Sequence, residues 1–70
     1  MKENFAIKLR ELRKASGMTQ EQLAAEFGVS VQAVSKWESG ASDPSTSNLL
    51  ALAKLYGVSA EDLLREAAGE

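Results

Sequence analysis

Residues 19–40 read TQEQLAAEFGVSVQAVSKWESG, and their spacing predicts two short helices that meet at a tight corner. Leu23, Ala24 and Phe27 recur at helical spacing on the first segment, and Val34 with Trp37 on the second. Gly28 stands at the corner, where a chain leaving a helix turns through a left-handed conformation that glycine adopts without steric cost. A steep, close crossing of two helices needs a small inner residue, and Ala24 supplies it. Thr19 and Gln22 spell a Thr-x-x-Gln capping box, with Met18 and Leu23 as its hydrophobic staple. Ser30, between Val29 and Val34, repeats the device at the head of the second segment.

Gly17, Gly28, Gly40 and Gly57 each follow a stretch of helical spacing. They divide the chain into five expected helices, near residues 3–15, 20–27, 31–39, 46–56 and 60–68, with no useful window of strand alternation. Pro44 before a capping Ser45 suits entry into the fourth helix. Ser59, between Val58 and Leu63 and with Asp62 in the first turn, suits entry into the fifth. The triplet Gly-Val-Ser occurs at 28–30 and again at 57–59, a reused junction that stops one helix and caps the next. Expected core faces are Phe5, Leu9 and Leu12; Leu49, Leu52, Ala53 and Tyr56; and Leu63, Leu64 and Ala67. Ile7 lies off the first stripe, either singly exposed or a partner contact, and Gly69 with Glu70 reads as a frayed end. The expectation is one all-α domain over residues 1–70, a five-helix bundle.

Composition closes several doors. The chain has 70 residues, no cysteine and no histidine. That excludes a disulfide scaffold, a zinc finger and a thiol enzyme, and leaves no imidazole as base or metal ligand. There is no Gly-rich phosphate loop and no pair of carboxylates in a cleft-forming context, so no catalysis, metal or cofactor is expected. No apolar run is long enough to span a membrane, no signal-peptide h-region opens the chain, and no small-molecule ligand is evident. A sequence pI near 5.1 argues, taken alone, against a nucleic-acid partner. The charge is unevenly placed, however. Residues 1–18 carry five cations and two anions, 19–40 carry Lys36 against three glutamates, and 41–70 carry two cations against five anions.

TQEQLAAEFGVSVQAVSKWESG resembles the helix-turn-helix of the phage repressor and Cro family, often called the xenobiotic-response-element type. KLRELRKASGMTQ resembles that family's first helix and PSTSNLLALAKLYGVSAEDLL its last two, so the likeness covers roughly residues 5–64. The resemblance implies a five-helix domain that binds operator DNA, commonly as a dimer, with the second helix of the motif in the major groove. With Val34 and Trp37 turned to the core, Gln32, Ser35, Lys36 and Ser39 fall on the opposite side of the third helix, with Val31 beside them. Gln pairs with adenine, Lys donates to guanine O6 and N7, and Val31 suits a thymine methyl. Base contact is therefore expected from Val31, Gln32, Ser35 and Lys36.

Phosphate contact is expected around that surface. The resemblance places Gln20 at a position that holds the DNA backbone. Thr19 and Ser30 head helix N-termini, where capping comes first and phosphate binding stands beside it. Ser39 and Ser42 flank the loop that follows, where Ser42 reads equally as a solvated loop serine. By resemblance, Glu38 pairs with Arg13 in a partly buried, structural salt bridge between the first and third helices. The expected partners are double-stranded DNA and a second copy of the chain, with Leu64, Ala67 and Ala68 as candidate dimer contacts. The expected role is a transcriptional regulator, a repressor first, cytoplasmic and either prokaryotic or phage-encoded. The alternative is a protein-interaction module on the same fold, favoured by the acidity and by the single cation of the third helix.

Overall fold

Every helix start that the sequence marks with a hydroxyl is capped by that hydroxyl in the computed structural model, which describes residues 2–67. The elements are α1 (Lys2–Ala15), α2 (Gln20–Phe27), α3 (Val31–Ser39), α4 (Thr46–Tyr56) and α5 (Ala60–Ala67). Thr19 Oγ1 accepts from the Gln22 backbone N–H at 3.0 Å while Gln22 Oε1 accepts from the Thr19 N–H at 2.9 Å, a complete capping box. Ser30, Ser45 and Ser59 accept in the same way from the N–H three residues on.

The two Gly-Val-Ser junctions share one geometry. Gly28 (φ +65°, ψ 33°) and Gly57 (φ +68°, ψ 31°) both take the left-handed conformation. The Val29 N–H donates to Ala24 O and the Val58 N–H to Ala53 O, each at 3.0 Å, the six-to-one bond of a Schellman stop. The following serine then caps the next helix. Reversing direction within three residues is what lets such short helices pack on one another.

Phe5, Leu9, Leu23, Ala24, Val34, Trp37, Leu49, Leu52, Ala53 and Leu63 form one buried cluster to which all five helices contribute. The expected staple residues Met18, Val29 and Val58 are half-buried and pack on it. At α2 and α3, Phe27 and Trp37 meet edge to face, ring centroids 6.4 Å apart and planes at 70°. α1 packs on both α3 and α5, so the first helix braces the motif from behind.

Two core expectations change. Helical spacing puts Leu64 on the α5 stripe, but it is 43% exposed. The inward stripe is Ala60, Leu63 and Ala67, and a step of one residue from Leu63 turns the side chain about 100° outward. Ala6, absent from the expected stripe, is buried beside Phe5 and Leu9. Ile7 is exposed. Ala68, Gly69 and Glu70 lie outside the described residues.

Gly28 is required by backbone conformation and not by space, because a Cβ built there meets nothing within 4 Å. Gly28→Ala is therefore expected to destabilise by about 1–2 kcal/mol through left-handed strain alone. In a domain of this size each kcal/mol lowers Tm by about 4–8 °C, measurable by thermal circular dichroism. An unchanged Tm would show that the corner relaxes to another turn.

Candidate nucleic-acid interface

α3 has two faces of opposite character. Val34, Trp37 and Glu38 are buried, whereas Gln32, Ser35, Lys36 and Ser39 are exposed. The exposed set is spaced i, i+3, i+4 and i+7, one continuous strip of a helical surface. An amide, two hydroxyls and an ammonium thus stand together with no acidic residue of α3 among them. Val31 differs from them: it is half-buried and packs on the core, so only part of its side chain adjoins the strip.

The buried carboxylate is held from two other elements. Arg13 Nε donates to Glu38 Oε2 at 2.7 Å and Arg13 Nη2 to Glu38 Oε1 at 3.0 Å, a bidentate pair. The side chains are 11% and 4% exposed, so the pair is largely out of water. Nη1 of the same guanidinium donates to the Met18 carbonyl at 2.9 Å, while the Met18 N–H donates to the Arg13 carbonyl. Residue 18 is thereby clamped at both of its backbone polar groups, one residue before the cap of α2. Gln20 Nε2 completes the network, donating to Glu38 Oε1 at 3.1 Å. Hydrogen bonding to Glu38 is the main cause that raises the Arg13 pKa above its ordinary value, against the opposing effect of burial.

Tyr56, at the end of α4, faces the same charges. Its hydroxyl is buried with no hydrogen-bond partner among the described residues. Burial, with the Glu38 carboxylate adding to it and Arg13 opposing, pushes its pKa up to about 12.

The hydroxyl groups around the strip differ in what they have left to offer. Thr19 and Ser30 accept from backbone N–H groups, which leaves each hydroxyl proton available to an acceptor outside the protein. Ser39 is more committed. Its hydroxyl donates to the Lys36 carbonyl at 3.2 Å and accepts from the Ala41 N–H at 3.4 Å. The Lys36 carbonyl also receives the N–H groups of Gly40, Ala41 and Ser42, so the loop after α3 is anchored on the residue that carries the strip's one cation. Ser42 is exposed in that loop.

The bond from Gln20 to Glu38, the clamp on Met18 and the approach of Tyr56 carry no signature of periodicity. They join residues 18 to 43 positions apart or fall in a turn. Only the charge of Glu38 on the core side of α3, beside Trp37, signals that something must compensate it.

Residues 9–63 match the helix-turn-helix family. The chain is 43% identical over 60 residues to the HTH-type transcriptional activator BcrR of Enterococcus faecalis, an overlap of 86% of this chain and 29% of that one. It is 41% identical over 56 residues to the uncharacterized HTH-type transcriptional regulator MJ0272 of Methanocaldococcus jannaschii, covering 80% of this chain and 85% of that one. Over 56 residues it is 38% identical to the cryptic phage CTXphi transcriptional repressor RstR of Vibrio cholerae, covering 80% and 50%. The chain spans 29% of BcrR and 54% of a Bacillus subtilis regulator, so it matches only part of those longer proteins.

Two measurements probe the electrostatics. Glu38→Ala strands a buried guanidinium and is expected to cost about 3–5 kcal/mol in denaturant unfolding. Arg13→Met with Glu38→Leu, which removes both charges and fills the space, is expected to recover most of that loss. Equal losses in the single and double variants would mean that packing, and not the stranded charge, sets the cost. Tyr56 is the only tyrosine, so its phenolate absorbance can be followed alone. It is expected to titrate near pH 12 in the folded chain and near 10 in urea. Because the folded state holds this proton more tightly, its stabilising effect is complete below pH 10 and fades as pH rises from 10 to 12. A folded-state midpoint near 10 would place the hydroxyl in solvent.

Proposed function

The chain belongs to the helix-turn-helix family, and on that premise we propose that it is a sequence-specific transcriptional regulator that reads double-stranded DNA with α3 in the major groove. The observation that carries this reading is the exposed strip of α3, backed along its whole length by a buried face. A helix fixed from behind and polar in front can enter a groove about 12 Å wide without rearranging.

In this reading Gln32 and Lys36 do most of the base recognition. Gln32 offers the acceptor and donor that match adenine N6 and N7, and Lys36 donates to guanine O6 and N7. Ser35 lies between them, and the accessible part of Val31 suits a thymine methyl at the edge of the site. Thr19, Gln20 and Ser30 approach phosphates from the heads of α2 and α3, where first-turn N–H groups and the helix dipole favour anions. Ser39 and Ser42 approach the backbone from the other end of α3, with Ser39 contributing mainly through the loop it holds.

A domain this small presents one recognition helix, and two copies related by a twofold axis would place two such helices about 34 Å apart, one turn of DNA. Leu64, exposed on α5, supports a homodimer contact there, while Ala67 is half-buried against the core and offers less. Repression needs only that the bound domain occupy the groove, and so asks nothing further of these residues. Activation needs an additional partner surface.

Selection from a random pool of duplexes is expected to recover a palindrome. On that duplex, Gln32→Ala and Lys36→Ala are each expected to lose about 1–3 kcal/mol of specific binding by fluorescence polarisation. Lys36→Ala is also expected to lower the salt slope by about 0.9 if it reaches a phosphate, and to leave it unchanged if it reaches a base alone. Unaltered affinity in the Gln32→Ala, Lys36→Ala double variant would remove α3 as the reading element. No binding to bulk DNA even at low salt would favour a protein-interaction module.

A further inference from the structure

Glu38 is the one buried charged residue among those described, and its two oxygens serve two different elements. Oε2 is taken by Arg13, while Oε1 accepts from both Arg13 and the Gln20 amide. The second of these contacts is not needed to neutralise the carboxylate, which the guanidinium already does. Its consequence falls on Gln20.

A glutamine amide has an oxygen on one side and two N–H donors on the other, and in solvent it turns freely between them. Here rotation would set the amide oxygen against a carboxylate oxygen, two acceptors with no proton between them. The carboxylate therefore fixes the nitrogen inward. One N–H is used on Glu38 and the second remains on a half-buried side chain at the first position of α2. A free glutamine at this site can turn either end outward, so that its oxygen as well as its N–H can face an approaching phosphate. Held by Glu38, it offers a proton.

We propose that Glu38 is a positioning residue for DNA binding, which orients the Gln20 amide so that its remaining N–H meets a backbone phosphate. Arg13 acts through both neighbours. It fixes the carboxylate, and through Met18 it fixes the turn from which Gln20 enters α2. The inference rests on the DNA reading above, and it assigns to the Arg13–Glu38 pair a task in recognition besides its structural one.

The test is a cycle on the duplex recovered by selection. Gln20→Ala is expected to weaken binding about tenfold in the parent chain, the loss of one hydrogen bond to a charged group. In the Arg13→Met, Glu38→Leu background the same change is expected to weaken it less than about twofold, because the amide there is no longer oriented. Melting curves for all four proteins separate binding from folding. If the apolar pair does not fold, Glu38→Gln replaces it, since a neutral amide at 38 can accept or donate and no longer dictates which end of Gln20 turns inward. A duplex with a methylphosphonate at the contacted phosphate supplies a second readout. On it both Gln20→Ala and Glu38→Gln are expected to change affinity little. Equal losses from Gln20→Ala in both backgrounds, with a duplex bound, would overturn the positioning role. Failure of the parent chain to bind any duplex would instead overturn the DNA reading itself.

Discussion

A guanidinium on α1 and a carboxylate on α3, 2.7 Å apart and shut away from solvent, set the arrangement on which the other contacts depend. Burying either charge alone costs several kcal/mol, so the chain cannot move α3 away from α1 without exposing or stranding one of them. The pair is a constraint more than a source of stability, since two apolar side chains of similar volume would pack there at little cost. What apolar side chains lack is direction. The bidentate geometry fixes where α3 lies along α1, and the third guanidinium nitrogen extends that constraint to the turn before α2.

Given that frame, the junctions do the rest. A helix of eight residues such as α2 is too short to be stable by itself and owes its existence to its ends and its neighbours. The capping box closes one end, the left-handed Gly28 closes the other, and Val29 and Ser30 start α3 at once. Because the corner consumes so few residues, Phe27 and Trp37 meet across it and the inward faces of both helices join one core. The polar strip of α3 is then a by-product of how completely its other side is used.

Much of this was legible from the sequence, because capping and αL stops are local chemistry. Thr19, Ser30, Ser45 and Ser59 announce helix starts by residue type, and Gly28 and Gly57 announce stops that no other residue adopts at equal cost. The opposition of Val34 and Trp37 to Gln32, Ser35 and Lys36 follows from helical period alone. Assigning Leu64 to the core failed because adjacent leucines on a helix point about 100° apart, and the sequence does not say which of Leu63 and Leu64 meets the partner helices. Val31 shows the same ambiguity at a helix start, where a side chain borders both core and solvent. Gln20 was placed at the DNA backbone by resemblance. Its bond to Glu38 depends on the crossing of α2 and α3, and no residue pattern encodes that.

The acidity of the chain, at net charge −2, looks ill suited to a polyanion, but net charge averages over faces that a ligand meets one at a time. Five of the ten acidic residues lie after residue 40, whereas five of the eight cations precede residue 19. Within the motif, Glu38 is turned inward and matched by Arg13, so it adds no net charge to the exposed strip. What remains at the strip is one cation, Lys36, with the neutral side chains of Gln32 and Ser35 and a Ser39 hydroxyl whose proton is already spent on the Lys36 carbonyl. Counterion release scales with the number of phosphates that cations neutralise, so a surface of this kind gains little from DNA in general. If α3 reads DNA as proposed, hydrogen bonds from amides and hydroxyls must supply most of the attraction, and those depend on each donor being aimed. On that reading, the bond that holds the Gln20 amide in one orientation matters more than it would on a strongly basic surface, where attraction tolerates imprecise contacts. Low charge and fixed donors are two halves of one physical requirement: where long-range attraction is weak, short-range geometry must supply both affinity and discrimination.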